Sequence, residues 1–156
     1  MTTEPSADKN TAGLVKIGVV AKRLGISIRT IHMYEREKLF ISHKNLAGTR
    51  LFSERDIEWL IEIRRLIKSS ISIAGIRSLM ALIPCWDVKK CIHADKQTCI
   101  SLKDNENPCW SNKSSQCYQS TAVCRACLVY EMRFRIRNFK DHTDIRMKSN
   151  SATVEE

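Results

Sequence analysis

Residues 17–35, IGVVAKRLGISIRTIHMYE, constrain the fold of this chain more than any other stretch. Apolar residues recur at helical spacing in the first half of the stretch, at Val19, Val20 and Leu24. Gly25 follows, and glycine tolerates the positive φ that a helix end requires. Ser27 is then a favourable N-cap for a second helix. The pattern therefore predicts two short helices joined by a tight turn.

The second of these helices has two distinct faces. Its predicted inner stripe consists of Ile31, Tyr34 and Leu39. Its predicted outer surface carries Arg29, Thr30, His32, Met33 and Arg36. Two short helices joined by a glycine-containing turn are typical of the DNA-binding helix-turn-helix, whose second helix enters the major groove.

The residues that follow predict a small β-ribbon and two more helices. Gly48 lies in ISHKNLAGTRLF and supplies a turn between two short extended pieces. Ser53 is a predicted cap for a third helix, with Asp56 in its first turn. Ser72 caps a fourth helix that ends before Pro84. The apolar face of the third helix is predicted to be Ile57, Leu60, Ile61, Ile63 and Ile67.

Residues 16–83 together resemble the DNA-binding domain of the MerR-family transcription regulators. KIGVVAKRLGISIRTIHMYE is similar to the helix-turn-helix of the family, and GTRLFSERDIEWL is similar to its wing and third helix. IRRLIKSSISIAGIRSLM is similar to its two-helix second wing. The resemblance implies a regulator that distorts a promoter with an overlong spacer so that RNA polymerase can engage it. It also implies a homodimer.

Several positions depart from the family pattern. His32 and Met33 replace an Arg and an aromatic residue, and Phe52 replaces a tyrosine whose hydroxyl reaches a phosphate. Lys38 and Ser70 lie where glycine is common, and no proline occurs at residues 41–42. These departures leave the predicted fold unchanged but alter the expected DNA sequence and phosphate contacts.

The charge of the chain agrees with an anionic partner. Lys and Arg number 26 against 17 Asp and Glu, a formal net charge of +9, which favours nucleic acid first and an anionic membrane second. Arginine can fork to guanine or to phosphate, whereas lysine acts as a point charge. The candidate DNA-binding residues are Arg29, Thr30, His32, Met33, Arg36, Lys44 and Arg50; each of the charged ones could instead be a solvated surface charge.

All seven cysteines of the chain lie within residues 84–127. The polar N-terminus and the absence of a long apolar run predict a cytoplasmic protein without a membrane span, where cysteines serve metal, cluster or redox chemistry. PCWDVKKC and PCWSNKSSQC form an internal repeat that resembles a cysteine-rich module of bacterial sensory proteins. The candidate metal ligands are Cys85, Cys91, Cys99, Cys109, Cys117, Cys124 and Cys127.

Thiolates suit an iron–sulfur cluster, zinc or copper(I). Only Cys124 and Cys127 form the close pair that a zinc ribbon prefers, so an iron–sulfur cluster, for example one with four irons, is the first expectation. Zinc with His93 as an eighth ligand, a thiol–disulfide switch and a module without cofactor remain alternatives. Trp86 and Trp110 are expected to form the small apolar core of the module or to shield a cluster.

The sequence thus predicts a mainly α fold: a winged helix-turn-helix domain with a small β-ribbon wing, a cysteine-rich module and a C-terminal helix. Its predicted segments are a disordered 1–13, the DNA-binding domain 14–83, the module 84–127, a helix at 128–148 that could serve dimerisation, and a disordered tail 149–156. The helix is expected to bury Leu128, Met132, Ile136 and Phe139.

The predicted function is a sequence-specific DNA-binding regulator whose module senses a redox or metal signal. The alternative is a DNA-binding adaptor whose zinc-stabilised module docks a partner protein. An enzyme that uses Cys124 and Cys127 as a redox pair is not favoured, because no βαβ pattern surrounds them and no acid–base or nucleophile motif occurs.

Overall fold

The computed structural model describes residues 13–89 and 98–138, and this part of the chain is mainly helical with one small sheet. The elements, in chain order, are β1 (Val15–Lys16), α1 (Ile17–Leu24), α2 (Ile28–Arg36), β2 (His43–Lys44), β3 (Arg50–Phe52), α3 (Glu54–Lys68), α4 (Ile73–Ala81), α5 (Cys85–Lys89), α6 (Ile100–Lys103), α7 (Thr121–Arg125) and α8 (Leu128–Glu131), with 3₁₀ turns at Cys109–Ser111 and Met132–Asn138. The predicted fold class, a winged helix-turn-helix in a mainly α chain, is confirmed.

The chain divides into two compact units, and the boundary between Arg77 and Ser78 lies inside α4. The first unit holds the helix-turn-helix and the sheet, and the second holds the described cysteines.

The turn between α1 and α2 forms as its sequence predicts. Gly25 adopts φ 61°, and its N–H donates to the carbonyls of Ala21 and Lys22 at the end of α1. The Ser27 hydroxyl accepts a hydrogen bond from the N–H of Thr30 at 3.0 Å, which caps α2. The side chain of Ser27 and the backbone freedom of Gly25 therefore set the angle between the two helices.

The sheet has three strands in the order β1-β3-β2, all antiparallel. The wing hairpin β2–β3 pairs Lys44 with Arg50 around a turn in which Gly48 has φ 78°. The additional strand β1 pairs Lys16 with Leu51, directly before α1 begins. A strand of two residues carries no periodicity, which is why the sequence predicted a two-stranded ribbon only.

Helix α3 provides the centre of the first unit. Ser53 and Asp56 form a reciprocal capping box at its start, as predicted. The Trp59 side chain is fully buried, and its indole Nε1 donates to the carbonyl of Leu39 at 2.8 Å. Ile31, Tyr34 and Leu39 are all buried, so the predicted inner stripe of α2 is confirmed.

The predicted apolar face of α3 is wrong at one residue, Ile61. Ile63 is fully buried, but Ile61 is 51% exposed. The two residues lie two positions apart, about 200° around a helix, so they cannot share one face. Trp59 and Leu66 are buried instead, together with Ile57 and Leu60.

Two non-glycine residues occupy the left-handed backbone region. Lys38 follows α2 with φ 65°, and Ser70 follows α3 with φ 67°. These are the two positions where the resembled family commonly has glycine. The left-handed conformation costs roughly 1–2 kcal/mol for a residue with a Cβ, so this chain carries strain at two helix ends.

Short helical turns make up the second unit. The two Pro-Cys-Trp copies share only the position of their helical start: after the proline, Cys85 begins the α-helix α5, whereas Cys109 begins a 3₁₀ turn. Trp110 is buried and meets the ring of Tyr130 edge-on, with 5.0 Å between centroids. Trp86 is 38% exposed, so only Trp110 forms the expected apolar core.

The described part of the predicted C-terminal helix is not one continuous α-helix. It consists of α8 and the 3₁₀ turn Met132–Asn138. Of the residues expected on the inner face, Ile136 is buried as predicted, but Leu128 is 64% exposed. Val129 and Tyr130 are buried in addition. The guanidinium of Arg133 is also buried, 3.7 Å from the centre of the Tyr130 ring, and Nη1 donates to the Tyr130 carbonyl. A cation–π contact of this kind stabilises a buried arginine, so the inner face includes a charged residue that hydrophobicity alone does not predict.

Cys91, His93 and Phe139, and the predicted disordered ends at 1–12 and 149–156, lie outside the described residues. Within the described ranges, no helix is both long and apolar enough to cross a membrane.

Substituting Ile63 and Ile61 separately by alanine tests the corrected core. Ile63→Ala should lower the free energy of unfolding by about 2–5 kcal/mol, since it opens a cavity in the core. Ile61→Ala, the matched control on the same helix, should change it by less than about 0.5 kcal/mol. Urea unfolding followed by circular dichroism measures both, and equal losses would place Ile61 in the core.

Candidate nucleic-acid interface and cysteine cavity

One face of α2 carries the predicted contact residues. Arg29, His32 and Arg36 are exposed and Met33 is half-buried, and their spacing of three, four and seven residues places them on one side of the helix. The opposite side is anchored by the buried Ile31 and Tyr34. Neither Arg29 nor Arg36 forms an ion pair with any residue that the structure describes.

Thr30 has a structural contact in addition to its predicted one. It is half-buried, and its hydroxyl lies 2.9 Å from the hydroxyl of Ser27. Because its N–H also donates to Ser27, Thr30 belongs to the capped start of α2. Its role as a ligand contact stays a prediction.

A basic groove lies between the start of α1, the helix α2 and the wing. Its four basic side chains come from four different elements, β1, α1, α2 and β3: Lys16, Lys22, His32 and Arg50. The backbone of Gly18 and of Gly48–Thr49 completes the wall. The N-terminus of α1 adds its positive dipole end, and no side chain caps it. The groove therefore suits an anionic ligand such as a phosphate backbone.

Sequence reasoning missed Lys16 and Lys22. Lys16 ends β1 and Lys22 lies in α1, a helix that the pattern treated only as support for α2. Lys16 reaches the groove because β1 pairs with the wing strand β3, and that pairing has no signal in the sequence. Lys44 is exposed on β2 but does not line the groove.

Arg50 is held by an acidic neighbour. Its Nε donates to Oε2 of Glu35 at 2.6 Å, and the Ser42 hydroxyl donates to Oε1 of the same carboxylate at 2.5 Å. His32 Nδ1 lies 4.0 Å from Oε2. Glu35 was not among the predicted site residues, because an acidic residue does not suggest an anion site.

A second arginine, Arg64, stabilises the arrangement of α1 and α2. Arg64 of α3 donates through Nη1 to the carbonyl of Leu24 at the end of α1. Burial raises the pKa of the Tyr34 hydroxyl, and the positive charge of Arg64 opposes this in part. Tyr34 therefore stays neutral and acts as a core residue of α2.

Five of the seven predicted metal ligands line one cavity in the second unit. The cavity has a volume of about 370 Å³ and is walled by Trp110, Tyr118 and Tyr130 among others. The cysteines on it come from both repeat copies and from the closing pair: Cys85, Cys109, Cys117, Cys124 and Cys127. Cys99 is buried and does not line the cavity, and none of the six described cysteines is in a disulfide.

The thiols raise one another's proton affinity. Burial, with the neighbouring Cys85, Cys117, Cys124 and Cys127, raises the pKa of Cys109 to about 12. Burial also raises the pKa of Cys117 and of Cys124, while Lys89 opposes the shift at both. A set of thiols that cannot ionise together favours either protons or a bound cation that replaces them.

The thiols surround the cavity without meeting at one point. In residues 13–89 and 98–138, no three His, Cys, Asp or Glu side chains are grouped so that they could hold a metal ion as they stand. Tetrahedral zinc needs four ligands with Zn–S bonds of about 2.3 Å. The observed spread therefore does not match a preformed mononuclear site.

Comparison with known proteins gives matches for the N-terminal part of the chain. Residues 15–83 match the family described as MerR HTH family regulatory protein. The HTH-type transcriptional regulator TnrA of Bacillus subtilis is 34% identical over 76 residues, which cover 49% of this chain and 68% of TnrA. The HTH-type transcriptional regulator GlnR of Bacillus anthracis and of Bacillus cereus is 32% identical over 75 residues.

The GlnR match covers 48% of this chain and 58% of GlnR, so the chain spans less than two thirds of those relatives. The family match ends at Ile83, directly before the Pro84-Cys85 junction. The relatives are transcriptional regulators, which agrees with the prediction that this chain is not an enzyme.

The pKa of Cys109 predicts slow alkylation in the metal-free protein. The thiolate fraction of Cys109 at pH 8 is on the order of one in ten thousand. Its rate of alkylation should therefore still rise above pH 10, where an ordinary cysteine with a pKa near 8.5 is already ionised. Iodoacetamide labelling between pH 7 and 11, mapped by mass spectrometry, measures this. In urea Cys109 should label like the other cysteines, and equal labelling at pH 8 in the folded chain would contradict the shift.

Proposed function

This chain belongs to the MerR HTH family of regulatory proteins, and on that premise we propose that it is a homodimeric, sequence-specific DNA-binding regulator of transcription. The observation that carries the proposal is the basic groove together with the exposed arginines of α2, which His32 links because it lies on that face and also lines the groove. Helix, wing and groove lie in one compact unit, so they can meet a duplex together.

The residues divide into two roles by position. Arg29 and Arg36 on the exposed face of α2 suit base edges in the major groove, with His32 and Met33 between them. Arg50, Lys16 and Lys22 line the concave groove, where they suit the phosphate backbone. Backbone contacts position a protein, and base contacts specify the sequence.

Regulation follows from deformation of the bound DNA. We infer that a dimer grips two half-sites of a promoter and distorts the spacer, so that its effect on RNA polymerase is indirect. The energy of bending depends on the sequence that is bent, so such a regulator gains specificity at positions it never touches. Two-fold symmetry of the dimer implies a palindromic operator.

For the cysteine cavity we propose an iron–sulfur cluster. Five thiols around about 370 Å³ offer more soft ligands and more room than a single ion needs. Thiolates are the ligands that hold iron–sulfur clusters, and the cavity is lined by cysteines from both repeat copies. When bound, a cluster supplies a redox-dependent charge that an oxidant or a reductant can change. The buried Trp110 and Tyr130 on the wall would restrict water there.

The role of the cavity would be that of a sensor. Thiols such as Cys109, whose pKa is raised in the metal-free state, would have to lose their protons to hold a cluster. We propose that this change orders the second unit and thereby alters the affinity of the dimer for DNA. The cytoplasm, where thiols stay reduced, is the compartment in which such a site would operate.

Arginine substitutions on α2 test DNA binding. A duplex selected from a random library on the wild-type chain serves as the probe. Arg29→Ala or Arg36→Ala should weaken binding about tenfold or more and flatten its sequence preference, since a bidentate base contact is lost. Lys22→Ala should weaken all duplexes alike and reduce the log–log salt slope by about 0.9.

Lys103→Ala, in the second unit, removes the same charge from an exposed residue outside the groove and is the matched control. It should leave both affinity and slope unchanged. A selection that recovers no duplex would contradict the proposal. So would an equal loss of DNA affinity in the Lys103→Ala and Arg29→Ala variants.

Cysteine substitutions test the cluster. After anaerobic purification, the wild-type chain should be brown and contain roughly four irons and four sulfides. Cys109→Ser and Cys124→Ser should lose most of the iron, whereas Cys99→Ala, outside the cavity, should retain it. Zinc alone would support the adaptor alternative, and a colourless protein without metal would overturn the cluster. DNA affinity before and after oxidation then measures the sensing.

A further inference from the structure

The carboxylate of Glu35 lies where α2 meets the wing. Its side chain is 19% exposed and bonded to residues on either side of β2: Ser42, just before that strand, and Arg50, at the start of β3. Arg50 reaches it with Nε, and Ser42 reaches it with its hydroxyl. Both carboxylate oxygens are therefore engaged, so the side chain has little rotational freedom.

The geometry of the pair leaves one end of Arg50 available. The Nε–H of a guanidinium is one of five donors, and the remaining four are on the two terminal nitrogens. Because Glu35 holds Nε, those terminal nitrogens keep a fixed fork geometry in the basic groove that Arg50 lines. A phosphate can accept two parallel hydrogen bonds from such a fork.

We propose that Glu35 is a positioning residue for DNA recognition: it holds Arg50 of the wing in register with α2, so that phosphate and base contacts are made together. This inference rests on the proposed function. It assigns to an acidic residue a contribution to binding a polyanion, although Glu35 touches no DNA itself.

General electrostatics predicts the opposite effect. A negative charge beside a phosphate-binding groove repels DNA, so its removal should tighten binding. The positioning role predicts weaker binding, because Arg50 then loses its preset orientation and must be ordered at the moment of binding. The sign of the change therefore separates the two explanations.

The chain offers a matched control in a second ion pair. Glu37 accepts from Arg77 at 2.7 Å, with comparable exposure of both side chains. Glu37 comes directly after α2, two residues beyond Glu35, but neither Glu37 nor Arg77 lines the groove. Replacing Glu37 by glutamine therefore removes a similar ion pair without changing the contacts of Arg50.

A double-mutant cycle tests the proposal with the selected duplex. Glu35→Gln should weaken binding about three- to tenfold although it makes the protein more positive, and it should lower the salt slope although Arg50 keeps its charge. Arg50→Ala should weaken binding at least as much. The double variant should bind no more weakly than Arg50→Ala alone, whereas Glu37→Gln should bind like the wild type.

Tighter or unchanged binding by Glu35→Gln, or additive losses in the double variant, would overturn the inference. Thermal unfolding of each variant identifies a loss that is due to unfolding. If Glu35→Gln does not fold, the Ser42→Ala variant takes its place in the test, because it frees one carboxylate oxygen of Glu35. Ser42→Ala should weaken DNA binding about twofold. The same substitution should have no effect on binding when it is combined with Arg50→Ala. Normal binding by Ser42→Ala would then overturn the inference. If the wild-type chain binds no duplex, the proposed function itself fails.

Discussion

The hydrogen bond from the indole of Trp59 to the carbonyl of Leu39 is the constraint on which the DNA-binding unit depends. Both residues are fully buried, so a missing partner would leave a polar group unsatisfied in the core. The bond fixes the chain where it leaves α2, and the buried Ile31 and Tyr34 fix the helix itself. With one side of α2 held in this way, the opposite side is presented to solvent as a rigid surface.

The cysteine-bearing unit follows a different physical logic. Its helices are short, and its apolar core depends on a few aromatic contacts such as the edge-on pair of Trp110 and Tyr130. A buried arginine, Arg133, packs on Tyr130 where a larger unit would use an aliphatic residue. Five thiols then surround a cavity. The metal centre proposed for this cavity would add to the stability of the unit, since its binding energy would also be folding energy.

The fold was largely predictable because its signals are local. Gly25, Ser27 and the Ser53 capping box act within a few residues, so the sequence predicts where each helix begins and ends. The errors occur where a distant contact decides. Ile61 has a residue type suited to the core but lies on the exposed side of α3. Leu128 is exposed although it is apolar, whereas the charged Arg133 is buried against the ring of Tyr130. Lys16 entered the groove only because β1 pairs with β3.

By itself, the sequence determined the helix-turn-helix, its capped ends, the outward arginines of α2 and the clustering of cysteines in one segment, because each depends on periodicity or on residues close along the chain. Only the tertiary structure decided which groups meet across long separations. It placed Glu35 against Arg50, fifteen residues away, and it gathered thiols from Cys85 to Cys127 around one cavity. Such contacts arise from packing, and no spacing rule in the sequence encodes them.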